Sequence, residues 1–359
     1  MNIVARLMLA VSLLLAPSAA LAAAPMQDPG LPRCPAKGPI TGAGFVAIGG
    51  IDQWLTIDGS SCDKPVVLFI SGGPGNPMSP FSRAIYGGWT KDFTIVQWDQ
   101  RGAGMTFARN PGTVSSPLTM DRMAADGIAV AQHLARRLHT RKIFLVGGSW
   151  GSALGVHMAK RRPDLFRAYI GIAQIIRHPD NARASVAATR ALAAAAGDSK
   201  TVATLDALGP LPWPNPRNFG ILRRATRAYE APRTDPAPAA WWVPAPSYTT
   251  PTAQAAYEAG EEYSYLQFVG MHGDGMLSAI DLPRLGRRFD LPVYLVQGSE
   301  DLVTVPALSK AYFDSIVAPR KNYVLLQRTG HDPNPAMENE VYCLLQAELR
   351  ASPRRRPAR

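Results

Sequence analysis

Gly147-Gly148-Ser149-Trp150-Gly151-Ser152 follows the apolar run Ile143-Phe144-Leu145-Val146 and precedes the small-residue run Ala153-Leu154-Gly155-Val156. The order predicts strand, sharp turn, helix. In a Gly-x-Ser-x-Gly turn of this kind the serine sits on a strained bend clear of the sheet edge, and the glycines let strand and helix pack closely. The Trp150 backbone N–H is then free to receive an oxyanion. A Gly-rich turn with a helix-capping serine fits the same six residues, so the pattern alone leaves both readings open.

The flanking sequence supplies a frame for the turn. Pro65-Val66-Val67-Leu68-Phe69-Ile70 and Phe93-Thr94-Ile95-Val96-Gln97-Trp98 are runs without polar alternation, which predicts strands buried on both faces of a mostly parallel sheet. The first runs into Ser71-Gly72-Gly73-Pro74-Gly75 and the second into Asp99-Gln100-Arg101-Gly102-Ala103-Gly104. Loops at the C-terminal ends of such strands are where α/β sheets bind ligands. Residues 44–48 and 53–57 read as an opening hairpin, residues 119–138 as a helix with Met123, Ile128, Val130, Leu134 and Leu138 on its apolar side, and residues 168–173 as a strand. Alternating strands and helices predict a doubly wound α/β fold.

That alternation stops between residues 176 and 290. An Ala-rich helix over 182–196 leads into ten prolines between Pro210 and Pro251, too many for a continuous sheet, and then into a helix over 253–268. A mainly helical cap inserted into the core is expected. The core pattern resumes with Leu291-Pro292-Val293-Tyr294-Leu295-Val296, a helix over 306–316 and a strand over 323–327. The organisation is thus a first core part at 40–175, a cap at 176–290 and a second core part at 291–349.

A serine hydroxyl needs a base to take its proton, and the base needs a carboxylate to fix its tautomer. In one large class of serine-dependent folds the three follow in the order Ser, Asp, His. Of the six histidines only His331 lies beyond the cap on a turn after a strand; His133, His139 and His157 fall in or near predicted helices, and His178 and His272 in the cap. Asp301 occupies the turn after the penultimate strand, with Glu300 and Asp332 as rivals. For the oxyanion, Trp150 N–H needs a second donor, and Gly73 in the Gly/Pro loop can approach a substrate without a side chain intervening.

Taken together, Ser71-Gly-Gly-Pro-Gly75, Asp99-Gln-Arg-Gly-Ala-Gly104 and Gly147-Gly-Ser-Trp-Gly-Ser152, with Asp301 and His331 behind a helical insertion, resemble the proline iminopeptidase (prolyl aminopeptidase) family of α/β-hydrolases. The resemblance spans residues 40–345. It implies an α/β-hydrolase fold and a serine hydrolase with Ser149 as nucleophile, Asp301 as acid and His331 as base, releasing N-terminal proline or small residues from peptides. It also implies that the Asp99–Gly104 loop is structural. Two positions depart from the family pattern. Ser71 stands where the family has His, and Trp241 is followed by Trp242 where the family has a Trp-Glu pair that holds the substrate amine. Glu262-x-x-Tyr265 is similar to a second acidic cap motif, making Glu262 a candidate substrate-binding residue. An esterase or lactonase of small acyl substrates is the alternative activity, and a non-catalytic ligand-binding version of the fold is the alternative from another class.

Composition bounds the rest. A charge of +11 suggests polyanion binding, but five arginines lie in the basic tail at 350–359 and Arg6 in the N-terminal segment; removing these six from +11 leaves about +5, and no nucleic-acid partner is expected. Residues 1–22, with Arg6, an apolar run from Leu7 to Leu15 and Ala20-Leu21-Ala22, read as a signal peptide for an exported protein without stable membrane insertion. Cys34 and Cys62 could pair in an oxidising compartment, whereas Cys343 is expected to be buried in a helix. Nothing in the sequence suggests a metal, nucleotide or flavin cofactor, and the sequence does not specify an oligomeric state.

Overall fold

The computed structural model describes residues 30–111 and 117–351. The predicted signal peptide, and all but the first two residues of the basic tail, lie outside these residues.

The chain opens with an antiparallel hairpin, β1 (Ile40–Ile48) and β2 (Ile51–Gly59), turned through Gly49-Gly50; β1 begins earlier than the sequence pattern marks but ends where expected, and β2 is longer at both ends. β3 (Val66–Ile70), α1 (Ser82–Tyr86), β4 (Thr94–Trp98), α2 (Gly104–Arg109), α3 (Met120–Arg137), β5 (Ile143–Gly148), α4 (Trp150–Arg161) and β6 (Phe166–Ile172) follow. The insertion contributes α5 (His178–Ala195), α6 (Ser199–Asp206), α7 (Arg217–Glu230) and α8 (Pro251–Val269), with short 3-10 turns across the proline-rich stretch. β7 (Val293–Gly298), α9 (Pro306–Ser315), β8 (Lys321–Leu326) and α10 (Pro335–Ala351) complete the chain.

One eight-stranded sheet results, in the order β1-β2-β4-β3-β5-β6-β7-β8. β2 meets β4 antiparallel, and every pairing from β4 to β8 is parallel. The central strands are buried on both faces because alternate side chains feed separate cores. Ile143 and Leu145 of β5 pack with Met123 and Leu134 of α3 and with Leu154 of α4. Phe144 and Val146 point the other way, into a cluster with Ile85 of α1 and Val341 and Leu345 of α10. Each fully buried side chain of this size stabilises the fold by roughly 1.5–3 kcal/mol relative to exposure. That explains why the runs lack polar alternation. β8, at the edge, has an exposed and half-buried pattern instead.

The expected helical insertion is present between β6 and β7, with α5 starting four residues earlier than the Ala-rich run suggests. Cys34 and Cys62 form a disulfide with Cα atoms 5.9 Å apart, tying the segment before β1 to the turn before β3. Cys343 is exposed, which corrects the expectation of a buried thiol. It lies on α10 between Val341 and Leu345, which fill the core, and the helix turn carries it to the outer side.

Candidate active site

Ser149 sits between β5 and α4 with φ 51° and ψ −121°, a conformation that non-glycine residues rarely adopt. Its N–H donates to Ile172 O at 2.9 Å, which fixes the turn against the end of β6. The flanking glycines are demanded by space. A Cβ on Gly147 would lie 2.3 Å from Gly151 O, and one on Gly151 would lie 2.1 Å from Ile70 O. Ser152, in the first turn of α4, accepts from Gln174 Nε2 and from Ile175 N–H, both at 3.0 Å, and so anchors α4 to the segment after β6.

Ser149 Oγ lies 3.0 Å from His331 Nε2. His331 Nδ1 lies 3.1 and 3.2 Å from the two carboxylate oxygens of Asp301, whose side chain is fully buried. Asp301 is held by Val303 N–H at 2.8 Å, Thr304 N–H at 2.7 Å, Thr304 Oγ1 at 2.5 Å and Gln297 Nε2 at 2.8 Å. Burial pushes this carboxyl up, but the His331 charge and the hydrogen bonds from His331 and Thr304 outweigh it and hold Asp301 below the usual carboxylate range. The rival acids point elsewhere: Glu300 pairs with Arg233 and Asp332 with Arg223.

The Ser71–Gly75 loop lies directly over the turn. A Cβ on Gly72 would meet Ser149 Cβ at 3.3 Å, and Gly73 takes φ +110°. The Asp99–Gly104 loop braces this arrangement. Gln100 Nε2 donates to Ser71 O at 2.9 Å, while Gln100 Oε1 accepts the Trp150 indole N–H at 3.0 Å. Arg101 pairs with buried Asp126 at 2.8 Å and donates to Gly49 O at 2.7 Å. Asp99 accepts from Ser79 Oγ and from Met105 N–H; burial, outweighing these bonds, raises its carboxyl to about 7.

The insertion reaches the site through two helices. Along α8, Ser264 Oγ donates to Gly102 O at 2.7 Å, and Asn76 Nδ2 donates to Glu261 Oε1 at 2.6 Å beside the Gly/Pro loop. Glu262, one residue on, is exposed, on the outer face with Ala255, Glu258 and Ala259. The helix turn therefore gives Glu261, not Glu262, to the loop. At the end of α7, buried Glu230 accepts Leu302 N–H at 2.8 Å and His331 N–H at 3.1 Å. Trp242 is 40% exposed and packs edge-on against Phe81 at 5.6 Å.

The geometry thus brings Ser149, His331 and Asp301 into one chain and sets the Gly73 loop and Trp150 beside it, while leaving Glu262 outside. Gln100, Thr304, Gln174 and Glu230 were not marked by sequence reasoning. Gln100 had a signal in its motif; Glu230 had none, because a Glu on a charged helix reads as solvated. A serine hydroxyl bonded to an imidazole that is itself bonded to a buried carboxylate can attack an acyl carbon.

A family model described as serine aminopeptidase, S33, matches residues 66–334. A probable aminopeptidase, YbaC, of Bacillus subtilis is 27% identical over 296 residues, covering 80% of this chain and 90% of that protein. The proline iminopeptidase of Neisseria gonorrhoeae is 28% identical over 128 residues, 36% of this chain and 38% of its own. Among solved structures, a proline iminopeptidase of Mycobacterium smegmatis superposes with a TM-score of 0.62 at 18% identity over 87% of this chain and all of its own, a likeness of fold. The eight-stranded sheet and the extent of the family match show that the chain belongs to the serine aminopeptidase S33 family and is a serine hydrolase of the α/β-hydrolase fold.

Proposed function

We propose that the protein is an exported aminopeptidase that releases N-terminal proline or small residues through an acyl-enzyme on Ser149. The observation that carries the mechanism is the continuous hydrogen-bonded chain from Ser149 Oγ through His331 to Asp301. In this reading His331 Nε2 takes the Ser149 proton as Oγ attacks the acyl carbon, then gives it to the leaving amine. Asp301 holds the Nδ1–H tautomer and stabilises the imidazolium. The backbone N–H groups of Trp150 and Gly73 receive the oxyanion, an interaction that contributes several kcal/mol to acyl transfer. Water activated by His331 then cleaves the ester.

Support for an amine-bearing substrate comes from the family and from Glu261, which takes the place expected of Glu262 beside the loop. A substrate ammonium would pair with this carboxylate. Esterase activity on small acyl groups is the second reading, favoured by Trp242 where the family pattern has an acid. A fluorophosphonate probe tests the mechanism: folded protein that does not label at Ser149 refutes it. Prolyl and acetyl chromogenic substrates divide the two activities, since ester turnover without amide turnover rejects the peptidase.

Export is motivated by the pattern of residues 1–22 and agrees with the Cys34–Cys62 disulfide, a bond that persists in oxidising compartments. Intact-mass measurement of the protein from fractionated cells decides it. Cytoplasmic protein retaining residues 1–22 counts against export.

A further inference from the structure

Helix α7 ends on Glu230, whose carboxylate lies behind the two turns that carry the acid and the base. One oxygen accepts the N–H of Leu302, the residue after Asp301, and the other accepts the N–H of His331 itself. The residue is 5% exposed, and a Cβ on Gly330 would stand 2.9 Å from Oε2, the oxygen that accepts His331 N–H, so the turn and the carboxylate are in direct contact. Asp301 and His331 are the titratable groups that face it, while nearby Arg233 is occupied by Glu300. Burying a carboxylate is costly unless its oxygens are bonded. Here both are bonded, and both donors belong to the backbone of the catalytic turns.

We propose that Glu230 is a positioning residue: a carboxylate of the inserted helical region that clamps the Asp301 and His331 turns together, so that His331 Nε2 is aimed at Ser149 Oγ. The clamp joins three chain segments far apart in sequence, at α7, after β7 and after β8. It acts on the backbone of His331, and therefore serves any acyl substrate, whether or not that substrate carries an amine. A carboxylate is suited to the task because each of its two oxygens accepts from one N–H. An amide of the same shape offers one oxygen and turns an NH2 group toward the second N–H, which opens one side of the clamp.

This inference rests on the Ser149 mechanism proposed above, so wild-type turnover and Ser149 labelling are established first; if the wild type does neither, it is the mechanism that fails. Glu230→Gln is then compared with wild type by fluorophosphonate labelling and by turnover of a prolyl amide and an acetyl ester. The expected result is a labelling rate and a kcat for both substrates lower by on the order of 100-fold, the scale of a misplacement of about 1 Å, with KM little changed. The labelled fraction at the end point should equal that of wild type, which separates slow but correctly folded enzyme from a partly unfolded population. Loss confined to the amine-bearing substrate, or carried by KM, would show instead that Glu230 binds the substrate and would overturn the clamp. Wild-type rates for both substrates would overturn it as well. Should Glu230→Gln fail to fold, Gly330→Ala loads the same contact from the other side, and unchanged labelling in that folded variant rejects the proposal.

Discussion

Gln100 accepts the indole N–H of Trp150 at 3.0 Å, and through its amide nitrogen the same side chain holds Ser71 O at 2.9 Å. One buried amide therefore sets the distance between the loop expected to supply one oxyanion donor and the residue expected to supply the other. With Ser71 in the position where the family has His, the brace on the loop comes from the neighbouring Asp99–Gly104 segment.

Gln100→Leu keeps the volume and removes both bonds, leaving the buried Trp150 N–H and Ser71 O unpaired. Each such group costs about 1–3 kcal/mol, so urea unfolding should show a loss of about 2–6 kcal/mol. Fluorophosphonate labelling of the folded fraction should slow by roughly 10–100-fold, short of the 10²–10³-fold cost of deleting an oxyanion donor outright. Labelling at the wild-type rate would mean that the loop is positioned without Gln100.

Asp301→Asn tests the orienting role. The amide would turn a donor toward His331 Nδ1 and favour the tautomer whose Nε2 already carries a proton, so kcat should fall by on the order of 10⁴. With the amide oxygen kept on the Val303 and Thr304 N–H groups, the new NH2 faces the Gln297 Nε2 donor, so the melting temperature should also fall, and kcat is compared on the folded fraction. A kcat within tenfold of wild type would remove Asp301 from the mechanism.

The parts of this site that were legible in the sequence share one property: each lies just after an apolar strand, where chain order fixes position in space. Ser149 after β5, Asp301 after β7 and His331 after β8 are brought to one sheet edge by parallel topology alone. Residues that act across the insertion were not legible. Glu261 and Glu262 are adjacent in sequence and both exposed, and only the rotation of α8 decides which one meets the loop, so a pattern match one residue out of phase selects the one turned away from it. Cys343 fails for the same reason, since a helix that is apolar on one side offers no mark of which cysteine faces outward. Glu230 depends on a contact between residues a hundred positions apart, which no local spacing records.

Arg101 and Asp126 give a stability test of the reading that the Asp99–Gly104 motif is structural. Their side chains are 6% and 3% exposed, and Asp126 also accepts from Gln53 Nε2 at 2.9 Å. Asp126→Ala leaves a buried guanidinium without its counter-charge and should cost about 3–5 kcal/mol. In chemical denaturation the unfolding free energy should fall by that amount, while the labelling rate of the folded enzyme stays near wild type. A stable variant with a slow labelling rate would assign the motif to the chemistry instead.

Glu338 provides a pH test away from the site. Its carboxyl is buried among the α1 and α10 side chains, Tyr86 Oη is 3.4 Å from Oε1, and Oε2 has no hydrogen-bond partner among the described residues. Burial raises it from 4.5 to about 8, against a smaller opposing effect of the Tyr86 hydrogen bond. Between these values the folded protein holds a proton that the unfolded chain has released, so this group makes stability fall as pH rises from about 4.5 to about 8. Glu338→Gln stays neutral throughout and removes that slope. Urea unfolding at intervals from pH 5 to pH 9 should show the variant gaining on wild type as pH rises and levelling off above about 8. A difference between the two proteins that does not change with pH would mean that Glu338 is already ionised in the fold, and that its unpartnered oxygen is paired in solution.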